Sequence, residues 1–417
     1  MASPQFPIRA IRWSLDYNSS NDDHKLITPI LLQELNGPCP LIALVNTLLL
    51  KYELQYNNVL QTDDNLDPLH QKKFNSLNDL KNLLLTSGSA HGGIDLDALL
   101  GQIAEMLLVF NEDKSFDYEV DQLLESLPLL HTGLSVNPNL LNGNFARTDM
   151  ASILFEIFDL KIKHGWVLNQ IDSEQVEWNA TGEDTAEDNY GKLIEILNQL
   201  QTFDKVQDYL LLELEQSGDV NEQLRSQDSK KTLLHNQTLI NKWLDLNKTQ
   251  LTKIGLKRLN LDLLNEEFVV FFRNNHFNTL FKKNNQEFYL LITDSAFENK
   301  ASKIVWQSLN SVTGSDDLFF NGDFIPILDL DQDIDNNEAD ADFLLSKQLQ
   351  EEEDQAMAKT IQDRYDKAET RAAAKAKPTK DSTFRGLKSK SKKSSDKSVE
   401  VGETKEEPKK KRDCIIV

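Results

Sequence analysis

A run of ten residues at positions 41–50 is apolar except for Asn46 and Thr47. A helix built from this run would be apolar on every side, so we expect it to be buried through the middle of its domain. Gly-Pro at 37–38 indicates a turn, and Pro40 suits the first helical position, where its missing N–H and fixed φ cost nothing. The pattern therefore predicts a helix that begins at residue 40. With about ten apolar residues, that helix is too short to span a bilayer.

Other segments have the apolar patterns of strands. Residues 6–13 show rough apolar alternation, and residues 267–273 have the continuous apolar centre of a buried strand. A polar turn further on is expected to return the chain as an antiparallel hairpin into residues 287–293. Helical spacing governs other stretches, such as residues 96–110. The mixture predicts an α+β fold for residues 1–330, beyond which the composition becomes charged and nearly free of aromatic residues.

Composition suits a reducing compartment. The chain has 417 residues, 39% of them hydrophobic, which is enough for one large or two modest domains with real cores. Two cysteines exclude a disulfide framework and suit the cytosol or the nucleus. The sequence has neither an apolar N-terminal signal region nor a run of about 18 apolar residues, so we expect a chain that is soluble when synthesised.

Charge is distributed unevenly along the chain. The formal net charge is −22, yet residues 371–413 hold 15 Lys and Arg against 7 Asp and Glu, a net of +8 that leaves −30 on the remainder. An acidic body disfavours nucleic acid and suits a basic protein surface, although solubility alone accounts for most acidic bodies. We therefore expect no nucleic-acid partner.

Cys39 falls where the predicted turn becomes the apolar helix. A thiol at a helix N-terminus feels the positive end of the helix dipole and the unpaired amide donors, and both favour the thiolate. We therefore expect Cys39 to have a lowered pKa and to act as a nucleophile. The alternative is that Cys39 is a small buried hydrophobe, the commonest fate of a free cysteine.

A thiol protease also needs a histidine to take the proton and donors to hold the oxyanion, and these come together only in the fold. His276 has the most suitable setting of the seven histidines, because it follows the predicted buried strand at 267–273. His164 is the rival, for which a structural or groove-lining role stays open. A third group normally orients such a base, and Asp294 and Asn278 are the candidates if the hairpin forms.

Two blocks of residues resemble the MINDY family of cysteine deubiquitinases. The blocks consist of Gln33, Asn36, Gly37, Pro38, Cys39, Pro40 and Leu41, then of residues 271–277 with residues 289–294. The resemblance covers roughly residues 6–330. It implies a papain-like cysteine protease that hydrolyses isopeptide bonds in polyubiquitin and prefers long chains of the proteasome-targeting lysine linkage.

The same resemblance assigns roles by position. It makes Cys39 the nucleophile, His276 the general base and Gln33 part of the oxyanion hole, and this chemistry requires neither a cofactor nor a metal. An uncharged amide donor near the nucleophile is what a tetrahedral oxyanion needs. The alternative function is a catalytically weak or inactive ubiquitin-binding adaptor at membranes, which the presence of all three residues disfavours.

Residues 338–362 have the pattern of a charged helix with a narrow apolar stripe. Leu345 and Leu349 share one face with Ser346 beside them, and acidic residues precede and follow them. A stripe this narrow cannot fold alone, so the helix docks on a groove or receives a partner. The segment resembles the motif interacting with ubiquitin, in which alanine usually stands where this chain has Ser346. The alternative is a solvated linker helix.

Residues 367–417 are expected to form a disordered, basic tail. The tail ends in Cys414-Ile-Ile-Val after four basic residues at 409–412. This ending is a C-a-a-X box beside a polybasic stretch. Together with the family resemblance, it implies a fungal family member. A prenyl group on Cys414 and the basic residues together would hold the protein on an anionic membrane. We expect a cytoplasmic protein that is partly membrane-associated, with nuclear localisation through the basic run as the alternative.

Overall fold

The computed structural model describes residues 4–15, 25–33, 39–60, 67–114, 120–146, 149–168, 186–212, 220–295, 304–315 and 317–327. The helices in these residues are α1 (Cys39–Leu60), α2 (Pro68–His91), α3 (Leu96–Phe110), α4 (Val120–Ser126), α5 (Leu129–Thr132), α6 (Met150–Ile157), α7 (Ala186–Leu200), α8 (Phe203–Leu210), α9 (Val220–Leu246) and α10 (Lys253–Asp262). The strands are β1 (Gln5–Trp13), β2 (Leu26–Leu31), β3 (Gly93–Asp95), β4 (Ile162–His164), β5 (Glu267–Arg273), β6 (His276–Asn284), β7 (Glu287–Leu291), β8 (Trp306–Ser308) and β9 (Phe319–Phe320). The chain is therefore a mixed helix and sheet protein, as its apolar patterns predict.

The strands form two sheets. The smaller sheet has the order β2-β1-β3 and is antiparallel. The larger sheet has the order β4-β5-β6-β7-β8-β9, and only the β4–β5 pair is parallel. Strands β1, β5 and β7 lie where the apolar patterns predict strands. The chain turns back into β7 antiparallel, as predicted, but the partner of β7 is β6, a strand between β5 and β7 that sequence reasoning did not predict.

Helix α1 packs against both sheets. It contacts β2 of the smaller sheet and β5 and β6 of the larger one. Every residue from 41 to 50 is buried, so the prediction of a helix without a solvent face is confirmed. The helix begins at Cys39, one residue earlier than predicted, and it continues to Leu60.

The two polar residues of that apolar run join the helix to the sheets. The side-chain amide of Asn46 accepts a hydrogen bond from the backbone N–H of Leu31 at 2.8 Å and donates to its carbonyl oxygen at 2.9 Å. The Thr47 hydroxyl lies 2.9 Å from that of Thr279 on β6. Both side chains are fully buried, where an unpaired polar group would cost free energy, so these bonds fix the position of α1 along each sheet.

The β5–β6 hairpin lies between two apolar layers. On the α1 side, Phe272 and Phe277 join the largest core cluster, which also contains residues of α2, α3 and α6. On the other side, Phe271 and Leu280 pack with Leu259 of α10. Because both faces are covered, the hairpin is a rigid mount for the residues at its turn.

Some predicted segments fall outside the described residues. These are the predicted ubiquitin-binding helix at 338–362, with Leu345, Ser346 and Leu349, and the basic tail at 367–417, with Cys414. Among the residues that the structure describes, no helix has both the length and the apolar composition needed to cross a membrane.

Candidate active site

Cys39 is the first residue of α1 and lies at the edge of the main core. Its side chain is partly buried and packs against the cluster formed by α1 and its neighbours. Pro40, the second residue of the helix, has no N–H that would need a partner there. The local sequence thus places a thiol where a buried helix meets the surface.

His276 is held by the hairpin turn that joins β5 to β6. The turn consists of Asn274 and Asn275, with φ angles of +52° and +58°, and two successive positive φ angles are typical of a type I′ turn. His276 follows as the first residue of β6 and pairs with Arg273. Sequence reasoning placed His276 in a loop after the strand, whereas it begins the next strand, because the two asparagines complete the reversal.

The register of this hairpin directs one backbone amide toward Cys39. Arg273 and His276 flank a two-residue turn and so form a hydrogen-bonded pair, which makes Phe272 and Phe277 a non-hydrogen-bonded pair. The N–H of Phe277 therefore points away from β5. The Cys39 thiol packs against the core cluster that contains Phe277, and the Phe277 amide favours its thiolate form, so the thiol lies beside the residue that directly follows His276.

Burial is the main cause of the pKa shifts of Cys39 and His276. Desolvation raises the pKa of the Cys39 thiol, and the amides of Phe277 and of Cys39 itself only partly oppose that rise. The predicted lowering of the Cys39 pKa is therefore wrong, because burial in the core around the start of α1 outweighs the two amides beside the thiol. Desolvation also lowers the pKa of His276 to about 4. Both side chains are neutral at pH 7.

Gln33 lies just beyond β2, at the same end of the larger sheet. Its backbone N–H donates to the carbonyl of Thr293 at 2.7 Å, and its carbonyl accepts from the N–H of Ser295 at 3.0 Å. This parallel bridge pairs Gln33 with Asp294. Because β6 and β7 are antiparallel, the residues that follow β7, including Asp294, lie at the end of the sheet where β6 begins with His276. The backbone therefore brings Gln33, Cys39 and His276 to one region.

Neither predicted orienting residue hydrogen-bonds to His276. Asp294 is bridged to Gln33, three residues beyond the end of β7. Asn278 lies two residues along β6, on the same face of the strand as His276. The His276 side chain makes no hydrogen bond to any of the residues described.

The rival histidine, His164, has a structural role. Its Nε2 lies 3.1 Å from the carbonyl oxygen of Asn144, and its Nδ1 accepts from the backbone N–H of Trp166 at 3.1 Å. Burial lowers the pKa of His164 to about 4. Because both ring nitrogens hold backbone groups, neither is available to take a proton from a thiol.

Sequence reasoning missed the residues that hold the turn before His276. Gln250, in the loop before α10, pairs with Asn275 through two hydrogen bonds. The Arg273 guanidinium donates to the carbonyl oxygens of Thr249 and Val312. The Asn-Asn dipeptide is a sequence signal for a turn with positive φ angles, but no spacing in the sequence indicates the partnership with Gln250.

Comparison with known proteins identifies relatives of the whole folded body. A family model described as MINDY deubiquitinase matches residues 4–324. The ubiquitin carboxyl-terminal hydrolase MIY1 of Saccharomyces cerevisiae is 33% identical over 352 residues, which cover 84% of each chain. Human ubiquitin carboxyl-terminal hydrolase MINDY-1 is 30% identical over 298 residues, which cover 71% of this chain and 51% of the human protein. Since the family model spans most of the sequence that forms the two sheets and their helices, the chain belongs to the MINDY deubiquitinase family.

Proposed function

We propose that this deubiquitinase hydrolyses isopeptide bonds in polyubiquitin, with Cys39 as nucleophile, His276 as general base and Gln33 as an oxyanion donor. The observation that carries the proposal is that Cys39, the first residue of α1, packs against the core cluster that contains Phe277, the residue after His276. A helix that presents a thiol at its N-terminus to a sheet that carries the base supports a papain-like arrangement. The decisive experiment is cleavage of defined ubiquitin chains by variants of these residues.

The proposed reaction begins from a neutral pair. The sulfur of Cys39 attacks the isopeptide carbonyl carbon while neutral His276 takes the thiol proton. The carbonyl oxygen becomes an oxyanion, which the Gln33 side-chain amide and the backbone N–H of Cys39 stabilise. The imidazolium of His276 then protonates the leaving lysine amine, and a thioester remains. Water, deprotonated by His276, hydrolyses this thioester and releases the thiol.

Alkylation by iodoacetamide tests whether the resting pair is neutral. Because burial raises the pKa of Cys39, the thiolate that reacts with iodoacetamide forms only at alkaline pH. We expect the alkylation rate of Cys39, followed by mass spectrometry of its peptide, to rise with pH without a plateau between about pH 5 and 8. N-acetylcysteine is the control thiol. A rate that is constant across this range would show a thiolate–imidazolium pair instead.

We also propose that the segment at 338–362 binds ubiquitin through Leu345, Ser346 and Leu349, and that the enzyme prefers long chains of the proteasome-targeting linkage. Exchanging Leu345 and Leu349 together for Ala should weaken capture of long chains far more than cleavage at saturating substrate, because the helix adds effective concentration rather than chemistry. The measurement is pull-down and cleavage over a panel of linkages and lengths. Equal capture by the double variant and the wild type would make the segment a linker.

A lipid on Cys414 is our proposal for membrane association of this otherwise cytoplasmic enzyme. One prenyl chain gives reversible binding, and the basic run at 409–412 supplies the second signal, at about 1 kcal/mol per basic residue. Cys414→Ser should move the protein from the membrane fraction to the soluble fraction without changing its activity on free chains. An unmodified C-terminus by intact mass, or nuclear accumulation of both forms, would contradict the proposal.

A further inference from the structure

The turn before His276 has a conformation that needs support. Asn274 and Asn275 both have positive φ angles, a region that asparagine tolerates better than most residues but that still costs energy without glycine. His276 follows directly, so any rotation of the turn would change the direction of its side chain. The positions of the peptide groups at 274 and 275 therefore determine where the imidazole points.

Gln250 holds the turn from outside the hairpin. Its Nε2 donates to Oδ1 of Asn275 at 2.9 Å, and its Oε1 accepts from the backbone N–H of Asn275 at 3.0 Å. These two bonds fix both the side chain and the peptide plane of Asn275. The guanidinium of Arg273 adds bonds to the carbonyl oxygens of Thr249, at 3.2 Å, and Val312, at 2.7 Å.

The loop that carries Gln250 is itself anchored in the core. Leu251 is fully buried and forms a parallel bridge with Gly165, to whose carbonyl the N–H of Thr252 donates at 2.9 Å. The Thr252 hydroxyl donates to the carbonyl of Val167 at 2.8 Å. A Cβ on Gly255 would overlap the carbonyl oxygen of Gly165, so α10 approaches this backbone as closely as glycine allows. The turn is thus tied to a part of the protein that cannot shift easily.

We propose that Gln250 and Asn275 are positioning residues that orient His276 through the backbone of the turn, a role that rests on His276 being the general base. The reason is that His276 makes no side-chain hydrogen bond to the residues described, so no carboxylate or amide among them holds its ring directly. In many thiol and serine proteases a third side chain orients the histidine ring through a hydrogen bond. Here the Gln250–Asn275 amide pair orients the ring indirectly, by holding the residue that precedes His276.

Gln250→Ala tests the proposal. The loss of both bonds should lower kcat for chain cleavage by about 10- to 100-fold with little change in KM, because a small misplacement of a base affects the transition state more than binding. The matched control is Gln286→Ala, which makes the same substitution in the exposed turn at the other end of β6, where φ is also positive. The control should keep wild-type kcat.

Two further measurements separate positioning from stability. Gln250→Glu keeps an acceptor for the Asn275 N–H, and should recover most of kcat, since the Asn275 amide can turn to donate to the carboxylate. The ring resonances of His276 in NMR spectra should move in Gln250→Ala but not in Gln286→Ala. If Gln250→Ala does not fold, Gln250→Glu and Asn275→Gly, which retains the positive φ and loses only the side-chain contact, provide the same comparison.

The outcomes distinguish this inference from the proposed function. Wild-type kcat and unchanged His276 resonances in Gln250→Ala would overturn the positioning role, even with His276→Ala inactive. Full activity of His276→Ala would instead overturn the proposed base, and the positioning role with it. A fall in kcat that Gln250→Glu does not recover, at unchanged His276 resonances, would also contradict the inference.

Discussion

Cys39→Ala is expected to abolish cleavage of polyubiquitin, with kcat lowered by roughly 10⁴-fold or more, because the sulfur that would form the thioester is gone. The substitution removes one atom from a partly exposed side chain at the start of α1, so the core is preserved. Rates on a defined chain should be measured together with the midpoint of thermal unfolding and with binding of ubiquitin chains. We expect the last two to stay near wild-type values.

His276→Ala is the companion variant, since it removes the proposed base and leaves the thiol in place. Its rate should fall by a similar amount, and the double variant should be little worse than either single one, as expected for residues that act as a unit. His164→Gln is the histidine control, because the structure assigns His164 to backbone contacts. Turnover near wild type in Cys39→Ala would contradict the nucleophile assignment and favour an adaptor that binds ubiquitin without cleaving it.

Gln33→Ala should lower kcat by roughly 10² to 10³-fold, the loss expected for one oxyanion donor. The backbone bonds of Gln33 to Thr293 and Ser295 do not involve the side chain, so the substitution leaves the bridge to the larger sheet intact. Measurement of both constants for chain cleavage should therefore show the fall in kcat with KM nearly unchanged.

The control for that substitution is Gln5→Ala at the exposed start of β1, where the glutamine donates to Asp95. It should leave both kinetic constants unchanged. A Gln33→Ala enzyme altered only in KM would assign Gln33 to substrate binding rather than to the oxyanion.

Local sequence patterns predicted the helix and the strand that lead to the candidate site, but they did not predict the pKa of Cys39. The apolar run at 41–50 indicates a buried helix, and the apolar centre of β5 indicates a buried strand, because both depend on periodicity within one segment. The pKa of Cys39 depends instead on how much of the core surrounds the start of α1, which only the tertiary structure determines. The backbone amides near the thiol only partly oppose the effect of that burial.

Local sequence patterns also could not predict hydrogen bonds between residues that are distant in the sequence. Asn46 and Thr47 interrupt an apolar run, and nothing in their neighbourhood indicates that one binds Leu31 and the other Thr279. The pairing of Gln250 with Asn275 is likewise not indicated by the residues around either one. Only the resemblance to a known family suggests a role for Gln33, whose residue type and setting alone gave no sign of one.

The hydrogen bonds of Asn46 and Thr47 also bear on the order in which α1 meets the two sheets. The bond from Asn46 to Leu31 joins residues 15 apart in the chain, whereas that from Thr47 to Thr279 joins residues 232 apart. Contacts between near residues form first, because less chain entropy is lost in closing the loop. During synthesis from the N-terminus, we therefore expect α1 to dock on β2 before β6 has been made. At that stage the chain would hold Cys39 without His276, so on the proposed mechanism cleavage has to wait until β6 packs against α1.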